Sequence, residues 1–273
     1  MPAEQPLHGR TAVVTGASSG IGRAIAERLG GAGAFAYLAG RTAEAMEESR
    51  TRIEETGGKA EVVVLDVRDP AAVAGLVERA AEDTGRVDVM VNNAGLSHPG
   101  PIADQTPDQW REMLEVNVLA LLVGSQAAIR AMRRLGQGGH IVNISSIAAQ
   151  SRESGVYGAT KHAVNCITST LRMELEDEDI RVVTIMPGAV ATNFARNFDP
   201  EVIRGIGGLV GIDFDWQRGD RLPDDVLEQA QQALQQVLAA PEDVADAVLY
   251  AVSAPLHLNV AEIVVRPAKQ LSL

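Results

Sequence analysis

Short apolar runs alternate with amphipathic stretches along most of this 273-residue chain. The runs are rich in valine, isoleucine, leucine and alanine, which is typical of buried strands, and the stretches between them carry apolar residues at helical spacing. This alternation predicts an α/β fold, doubly wound, with a parallel sheet and helices on both faces. The strands are predicted at residues 12–15, 34–39, 61–66, 87–91, 140–145, 181–186 and 260–265.

Helices are predicted between these strands, at residues 21–29, 42–56, 107–134 and 243–252 and in a segment that begins at Pro70. Asp69 is a suitable N-cap for that segment, because proline is favoured at the first helical position. Residues 116–123 are apolar on more than one face, so we expect this helix to be buried both in the core and in a subunit interface. Together with residues 163–171 it predicts a helix-packed interface between subunits and leaves their number open.

One segment departs from the regular alternation. The chain is 46% hydrophobic, enough for one large core, and we expect a single domain over residues 1–273. Residues 193–239 contain several glycines and four of the aromatic residues, Phe194, Phe198, Phe214 and Trp216. This composition predicts an insertion that covers a substrate; the alternative is a surface excursion with its own small hydrophobic cluster.

Charge and composition exclude several classes of partner. The net charge of −12 argues against nucleic acid and anionic membranes. The first ten residues lack the apolar segment of a signal peptide, and we find no apolar run of the ~18 residues that a membrane span needs, so we expect a soluble, cytoplasmic protein. The five histidines show no ligand spacing, which predicts no metal site. The single cysteine, Cys166, is expected to be a small core or interface residue.

A glycine-rich loop follows the first predicted strand and opens a helix. Glycine allows the backbone to turn sharply and to approach a ligand closely, and the helix N-terminus offers N–H groups and partial positive charge to a pyrophosphate. In this context the loop predicts dinucleotide binding. The residues expected to contact the nucleotide are Gly16, Ser18, Ser19, Gly20, Ile21 and Gly22.

The end of the second strand bears on the choice of nucleotide. An acidic residue there would bind the adenosine ribose hydroxyls and repel a 2′-phosphate. This chain has Gly40, Arg41 and Thr42 instead, and an arginine can bind a phosphate through two donors. NADP(H) is therefore favoured. If Arg41 is only an exposed residue at a helix start, NAD(H) is the alternative.

Tyr157 and Lys161 are four residues apart, so a helix would place both side chains on one face. A free phenol ionises near pH ~10, and a neighbouring ammonium group is expected to lower that pKa. Such a pair is suited to moving a proton on and off an oxygen atom. An ordinary surface pair is the alternative.

The order of these motifs along the chain is informative. With the glycine loop, Asn92-Asn93-Ala94-Gly95, Ser146 and Tyr157-x3-Lys161, the chain resembles the short-chain dehydrogenase/reductase family over roughly residues 9–265. The resemblance implies a Rossmann-type fold with a seven-stranded, mostly parallel sheet. It also implies NAD(P)-dependent interconversion of alcohols and carbonyls, acting on a small molecule, in a protein that is commonly a homotetramer or homodimer.

Site roles follow from this resemblance. Tyr157 would be the general acid and base, Ser146 would bind the carbonyl oxygen, Lys161 would also bind the nicotinamide ribose, and Asn117 would hold a water beside the lysine. Ser145 is the less favoured alternative to Ser146. The further residues expected to bind the cofactor are Asp66, Val67, Asn93, Ala94, Gly95, Pro187, Gly188, Val190 and Thr192.

Two features near the site stay open at this point. The loop between Ser146 and Tyr157 is shorter than is common in the family, so the wall of the substrate pocket is expected to differ. His98 lies in the loop after the fourth strand and either contacts substrate or is solvated.

Two rival functions belong to other classes. A regulatory protein that binds NADPH without chemistry would not need Ser146, Tyr157 and Lys161 together. An epimerase or dehydratase acting on a sugar nucleotide would need a larger substrate-binding part after the sixth strand.

The first prediction concerns the nucleotide. We expect Arg41→Ala to weaken NADPH binding by about tenfold or more, because a charged contact to the 2′-phosphate is lost, while NADH binding changes little. Fluorescence titration with both nucleotides measures this. Equal losses for NADPH and NADH would remove the case for a phosphate contact at Arg41.

Overall fold

The computed structural model describes residues 5–198, 201, 204, 208, 217 and 219–269. Within these ranges there is one seven-stranded sheet, in the order β3-β2-β1-β4-β5-β6-β7, and each neighbouring pair of strands is parallel. The predicted α/β fold with a parallel sheet is confirmed. The strands are β1 (Thr11–Thr15), β2 (Phe35–Gly40), β3 (Lys59–Val64), β4 (Val89–Asn92), β5 (Gly139–Ile144), β6 (Ile180–Pro187) and β7 (Glu262–Val265).

The helices connect successive strands and cover both faces. Asp69 caps the helix Pro70–Thr84 (α3) as predicted, since its carboxylate accepts from the backbone N–H groups of Ala71 and Ala72. The helix Asp224–Ala233 (α7) was not predicted, although Pro223 followed by two acidic residues is a helix-start signal. The helices are α1 (Gly20–Gly31), α2 (Ala43–Glu55), α3 (Pro70–Thr84), α4 (Pro107–Leu114), α5 (Ala120–Leu135), α6 (Gly155–Glu174), α7 (Asp224–Ala233) and α8 (Pro241–Ser253).

Alternate residues of each strand pack into two separate cores, because successive side chains point to opposite faces of a sheet. Val14 belongs to the core formed with α1, α2 and α8. Its neighbour Val13 belongs to the core formed with α3 and α5. The sheet is therefore covered on both sides, which is the doubly wound arrangement.

The long helix predicted over residues 107–134 contains a π turn, Glu115–Leu119, between α4 and α5. By length and composition alone, Pro107–Leu135 is long and apolar enough to cross a membrane, which corrects the expectation that no such run exists. A little over half of its most apolar window is buried against the rest of the chain, as in the core helix of a soluble protein. Leu114, Leu119 and Leu122 stay exposed.

Cys166 is exposed on α6, so its expected place in the core is wrong. Val164 and Thr168 are buried instead, because they lie on the face of α6 that is turned inward. The alternative, a place in a subunit interface, stays a prediction.

His140 is a buried polar residue in β5, with only 2% of its surface exposed. Neither ring nitrogen has a hydrogen-bond partner among the described residues. Burial lowers the pKa of His140 to about 4, and the positive charges of Arg10 and Arg181 act in the same direction, while Asp88 opposes them. The imidazole is therefore neutral in the folded protein at neutral pH.

This burial predicts a pH dependence of stability. The unfolded chain binds a proton at His140 near pH ~6.5, whereas the folded chain does so only near pH 4. The free energy of unfolding should therefore fall as the pH drops from about 6.5 to 4, by up to about 3 kcal/mol. Urea titrations of wild type and His140→Leu at several pH values measure this contribution.

We expect His140→Leu to lose less stability than wild type over that pH range. His257, which is exposed, provides the matched control variant His257→Leu. If wild type and His140→Leu lost equal stability on acidification, burial of His140 would not be the cause.

Candidate active site

The glycine loop has the geometry that its sequence predicts. Gly16 and Gly20 have positive φ angles of 68° and 54°, which other residues rarely adopt. A Cβ atom on Gly22 would lie 2.2 Å from the Gly16 carbonyl oxygen, so this position admits only glycine. Ser19 is the N-cap of α1 and makes no side-chain capping bond, and Ile21 packs against the core.

The segment after β4 is bound to the same loop. The Asn93 side-chain amide donates to the carbonyl oxygens of Thr15 (2.9 Å) and Gly16 (3.3 Å). The backbone N–H groups of Asn93 and Ala94 donate to the Thr15 hydroxyl. These bonds hold Asn93, Ala94 and the glycine loop together at the carboxyl edge of the sheet, where nucleotides bind in open α/β folds.

The tip of β2 lies against the other side of the glycine loop. A Cβ atom on Gly40 would be 3.4 Å from the Ser18 hydroxyl oxygen, so the position of Arg41 is close to the loop. Arg41 and Thr42 are both exposed, and Thr42 is the N-cap of α2. An exposed arginine therefore stands next to the glycine loop.

Asp66 has a partner that sequence reasoning missed. The Arg68 guanidinium donates to its carboxylate, with Nη2 2.6 Å from Oδ2, and chiefly this bond lowers the pKa of Asp66. The positive charge of Arg41 acts in the same direction. The next residue, Val67, packs with Ala94 on a small apolar cluster.

The structure brings Ser146 and Tyr157 together. Ser146 lies just after β5, as the N-cap of a 3-10 turn over Ile147–Gln150, and its side chain is near enough to the Tyr157 phenol to lower the pKa of that group; Tyr157 lies in the first turn of α6. Ser145 is buried and donates to the backbone carbonyl of Lys161 (3.4 Å). Of the two serines, it is Ser146 that contacts the phenol.

Lys161 is buried next to this pair, with 4% of its surface exposed. Its Nζ atom donates to the carbonyl oxygen of Ile144 (2.8 Å) and lies 5.8 Å from the centre of the Tyr157 ring. A Cβ atom on Gly95 would be 3.7 Å from this nitrogen. Burial lowers the pKa of Lys161 to about 8.

The pKa of Tyr157 moves in the direction opposite to the one expected. Burial raises the pKa of the phenol to about 12, and the hydrogen bond with Ser146 acts the other way. The reason is that the phenol loses solvation on burial, and the Lys161 Nζ atom, 5.8 Å from the centre of the ring, does not offset that loss. Tyr157 therefore keeps its proton at neutral pH.

Asn117 lies in the π turn and is buried. Its Oδ1 accepts from the Leu96 N–H and its Nδ2 donates to the Leu96 carbonyl, both at 2.9 Å. Nδ2 also donates to the Thr160 hydroxyl (3.0 Å). Asn117 thus connects the loop after β4 to α6 one residue before Lys161; π turns are frequent at functional sites.

Sequence reasoning missed a second chain of buried polar groups. Asn92 donates to Ser125 on α5 (3.0 Å) and to Asn143 on β5 (2.8 Å). Asn143 donates in turn to Thr168 on α6 (2.9 Å). Asn92 and Asn143 lie in neighbouring strands that are largely apolar. Because buried amides have to be paired, these two residues could have indicated the chain of hydrogen bonds.

The loop after β6 closes over the glycine loop. Pro187 ends β6, Gly188 donates to the Val265 carbonyl (2.7 Å), and Val190 forms a β-bridge with Ala239. Thr192 lies on the glycine loop, since a Cβ atom on Gly20 would be 2.9 Å from the Thr192 methyl carbon.

The segment that follows reaches Tyr157. The Phe194 ring lies 5.4 Å from the Tyr157 ring, centre to centre, and Asn197 donates to the carbonyl of Ser97 (3.0 Å). Phe214 and Trp216, which were predicted to belong to the same cover, lie outside the described residues.

The loop before Tyr157 and the side chain of His98 both lie near the site. The short loop before Tyr157 packs tightly on α6, since a Cβ atom on Gly158 would be 2.2 Å from the Cβ of Ser154. The His98 side chain is largely buried, and its Nε2 pairs with the Glu112 carboxylate (2.8 Å).

Comparison with known proteins identifies the family. Residues 10–202 match the sequence model of the short chain dehydrogenases. The chain belongs to this family. An uncharacterized oxidoreductase of Staphylococcus aureus strain MW2 is 35% identical over 263 residues, which are 96% of this chain and 98% of that protein. The family expected from the order of motifs is confirmed, and the protein is an NAD(P)-dependent oxidoreductase.

Solved structures of other members are similar along their whole length. A metagenomic short-chain oxidoreductase in complex with NADP has a TM-score of 0.74 and 29% identity, covering 97% of this chain and 100% of that one. An alcohol dehydrogenase from the archaeon Thermococcus sibiricus, complexed with 5-hydroxy-NADP, has a TM-score of 0.76 and 26% identity, covering 97% and 99%.

A cavity of about 380 Å³ adjoins the site of this dehydrogenase. Ile147, the residue after Ser146, forms one wall, and Gly188 from the loop after β6 forms another. The other lining residues are Gln150, Ser151, Ala189, Val237, Arg266, Pro267 and Lys269. The volume is in the range of small-molecule pockets.

The packing of the glycine loop generates a second stability prediction. Gly22→Ala places a methyl group against a backbone carbonyl that cannot move freely, so we expect a loss of about 1–3 kcal/mol in the free energy of unfolding. NADPH affinity should fall as well, because the loop is displaced. Urea unfolding and NADPH titration measure the two effects.

Gly75→Ala is the matched control. A Cβ atom on Gly75 in α3 has no neighbour within 4 Å, so this exchange should stabilise the helix by roughly 0.5–1 kcal/mol. Equal stability of the two variants would contradict the close contact at Gly22.

Proposed function

We propose that this dehydrogenase uses NADP(H) to interconvert a carbonyl compound and an alcohol, with Tyr157 as the proton carrier. The observation that carries the proposal is the contact of Ser146 with the Tyr157 phenol above a buried Lys161 ammonium group. A pure nucleotide sensor has no use for this constellation, and it argues against the regulatory alternative.

The described residues fit a dinucleotide. The glycines allow the loop backbone to come close to a ligand. The first turn of α1, which has no side-chain cap, presents N–H groups to a pyrophosphate. Arg41 supports NADP(H) over NAD(H), as do the two solved relatives described as complexes with NADP and 5-hydroxy-NADP. When bound, the reduced nicotinamide supplies the hydride. Asp66, Val67, Asn93–Gly95 and Pro187–Thr192 would complete the binding surface.

Proton transfer is the task of Tyr157. Because its pKa is raised to about 12, the phenol is protonated at neutral pH and can donate its proton as negative charge develops on the carbonyl oxygen. Ser146 donates a hydrogen bond to the same oxygen, an interaction that is stronger in the transition state than in the ground state. Alcohol oxidation requires Tyr157 to accept a proton, so the rate of oxidation should increase as the pH rises.

Lys161 has N–H donors available to bind the cofactor. An ammonium group has three N–H donors, and among the described residues the structure shows one of them bonded, to the Ile144 carbonyl. The others can bind the hydroxyls of the nicotinamide ribose and a water beside Asn117. Lys161 is thus proposed to hold the sugar and to stabilise the phenolate that Tyr157 becomes.

The substrate would lie between Tyr157 and the cavity behind Ser146. The contact of Phe194 with Tyr157 supports residues 193–239 as a cover over the substrate within a single domain. Phe194 itself is 37% exposed, which leaves apolar surface for a substrate. The size of the cavity suits a small molecule.

Assembly into homodimers or homotetramers is proposed from the apolar surface of the helices beside the site. Leu114, Leu119 and Leu122 are exposed along α4 and α5, and Met173 is exposed on α6. Contiguous exposed leucines of this kind mark interfaces, and identical chains associate symmetrically.

Replacement of the proton carrier tests the proposal. We expect Tyr157→Phe to bind NADPH as the wild type does and to lose at least about 10²-fold in turnover, the typical contribution of a placed general acid. Absorbance of reduced nicotinamide, measured against a panel of ketones, aldehydes and alcohols with both cofactors, gives the turnover.

Tyr250→Phe is the control, because Tyr250 is 69% exposed on α8, far from Ser146 in the chain. The control should keep wild-type turnover. Near-normal turnover in Tyr157→Phe on a substrate of the wild type would rule out its role.

A further inference from the structure

Residues 221–224, which we call the clasp, are bonded to the glycine loop at two points. Nη2 of Arg221 donates to the Ser18 carbonyl oxygen (3.3 Å). A carboxylate oxygen of Asp224 lies 2.5 Å from Nη1 of Arg23, the residue that follows Gly22. These residues are distant in sequence, so the contacts fix the clasp on top of the loop and on the first turn of α1.

The clasp is also bonded to the loop after β6. The Leu222 N–H donates to Oδ1 of Asn193 (2.6 Å), and Nδ2 of Asn193 donates to the Leu222 carbonyl (3.0 Å). Asn193 is buried, with 7% of its surface exposed, and it follows Thr192, which touches Gly20. The clasp therefore joins the two loops between which the nucleotide is proposed to lie.

The ion pair in the clasp acts on the loop through Arg23. The Arg23 side chain is 14% exposed, and its Nη2 donates to the same Ser18 carbonyl (3.3 Å) that Arg221 contacts. Asp224 neutralises and orients this guanidinium, and its place in the first turn of α7 favours a negative charge. Asp224 is itself 56% exposed, so the pair can be broken at small cost.

The geometry points to the clasp as the element that controls how fast the nucleotide leaves. A dinucleotide seated between the glycine loop and the loop after β6 is released when the bonds across these loops open. Asp224 and Arg23 are positioning residues in this process, and Arg221 is a second attachment. The inference rests on the proposed function, because it takes NADP(H) to be the occupant of this site.

Release kinetics of the full-length protein test the inference. NADPH dissociation is followed by stopped-flow fluorescence while excess NADP⁺ displaces it, at low and high salt. Asp224→Asn should raise the dissociation rate about two- to fivefold, the change expected when one partly exposed ion pair is lost. Arg221→Gln should raise it similarly, and the double variant more than either.

Asp225→Asn is the matched control. Asp225 is the exposed next residue of α7, and the structure shows no ion pair for it among the described residues, so its variant should release NADPH at the wild-type rate. The salt dependence of the dissociation rate distinguishes the loss of an ion pair from a general loosening of the loops. Screening should accelerate release more steeply in wild type than in Asp224→Asn.

Equal dissociation rates and equal salt slopes in Asp224→Asn and Asp225→Asn would overturn the role of the clasp while leaving the proposed function intact, provided that both still turn over substrate. A wild-type protein that neither binds NADPH nor turns over any carbonyl compound would overturn the proposed function, and the clasp with it.

Discussion

The site depends on a buried positive charge. Taking an ammonium group out of water is costly unless it is hydrogen-bonded, and the carbonyl oxygen of Ile144 at the end of β5 supplies a bond to Lys161. This bond fixes α6 against the carboxyl edge of the sheet. Tyr157, one turn earlier on the same helix, is placed next to Ser146 as a consequence.

The same need for paired polar groups accounts for the irregular part of the long helix. In the π turn the Asn117 amide bonds both backbone groups of Leu96 and the Thr160 hydroxyl. Asn92 and Asn143 connect β4 and β5 to the helices on the same side. The interior behind the site is therefore polar, and its geometry is set by directional bonds rather than by apolar packing alone.

The sequence predicted the sheet, most helix positions and the meeting of Ser146, Tyr157 and Lys161, because hydrophobic period and motif order depend on local spacing. It did not predict the π turn at Asn117, since the bonds that stabilise it come from Leu96 and Thr160, which are distant in sequence. For the same reason Arg68 on Asp66 and the clasp on Ser18 were missed. The direction of the Tyr157 pKa was wrong because spacing gives proximity to Lys161 but not burial.

The raised pKa of Tyr157 matters for the proposed chemistry. Burial raises the pKa of Tyr157 to about 12 and lowers that of Lys161 to about 8, so at neutral pH the phenol is protonated and the amine is mostly charged. An alkoxide oxygen is comparable in basicity to hydroxide, so its conjugate acid has a pKa well above that of the Tyr157 phenol. In the proposed reaction, a phenol with a pKa near 12 would therefore keep its proton until the carbonyl oxygen has gained charge, and would then transfer it favourably. The Lys161 ammonium group, 5.8 Å from the centre of the ring, would favour the phenolate that forms. In this proposal burial and charge act at different stages of one proton transfer.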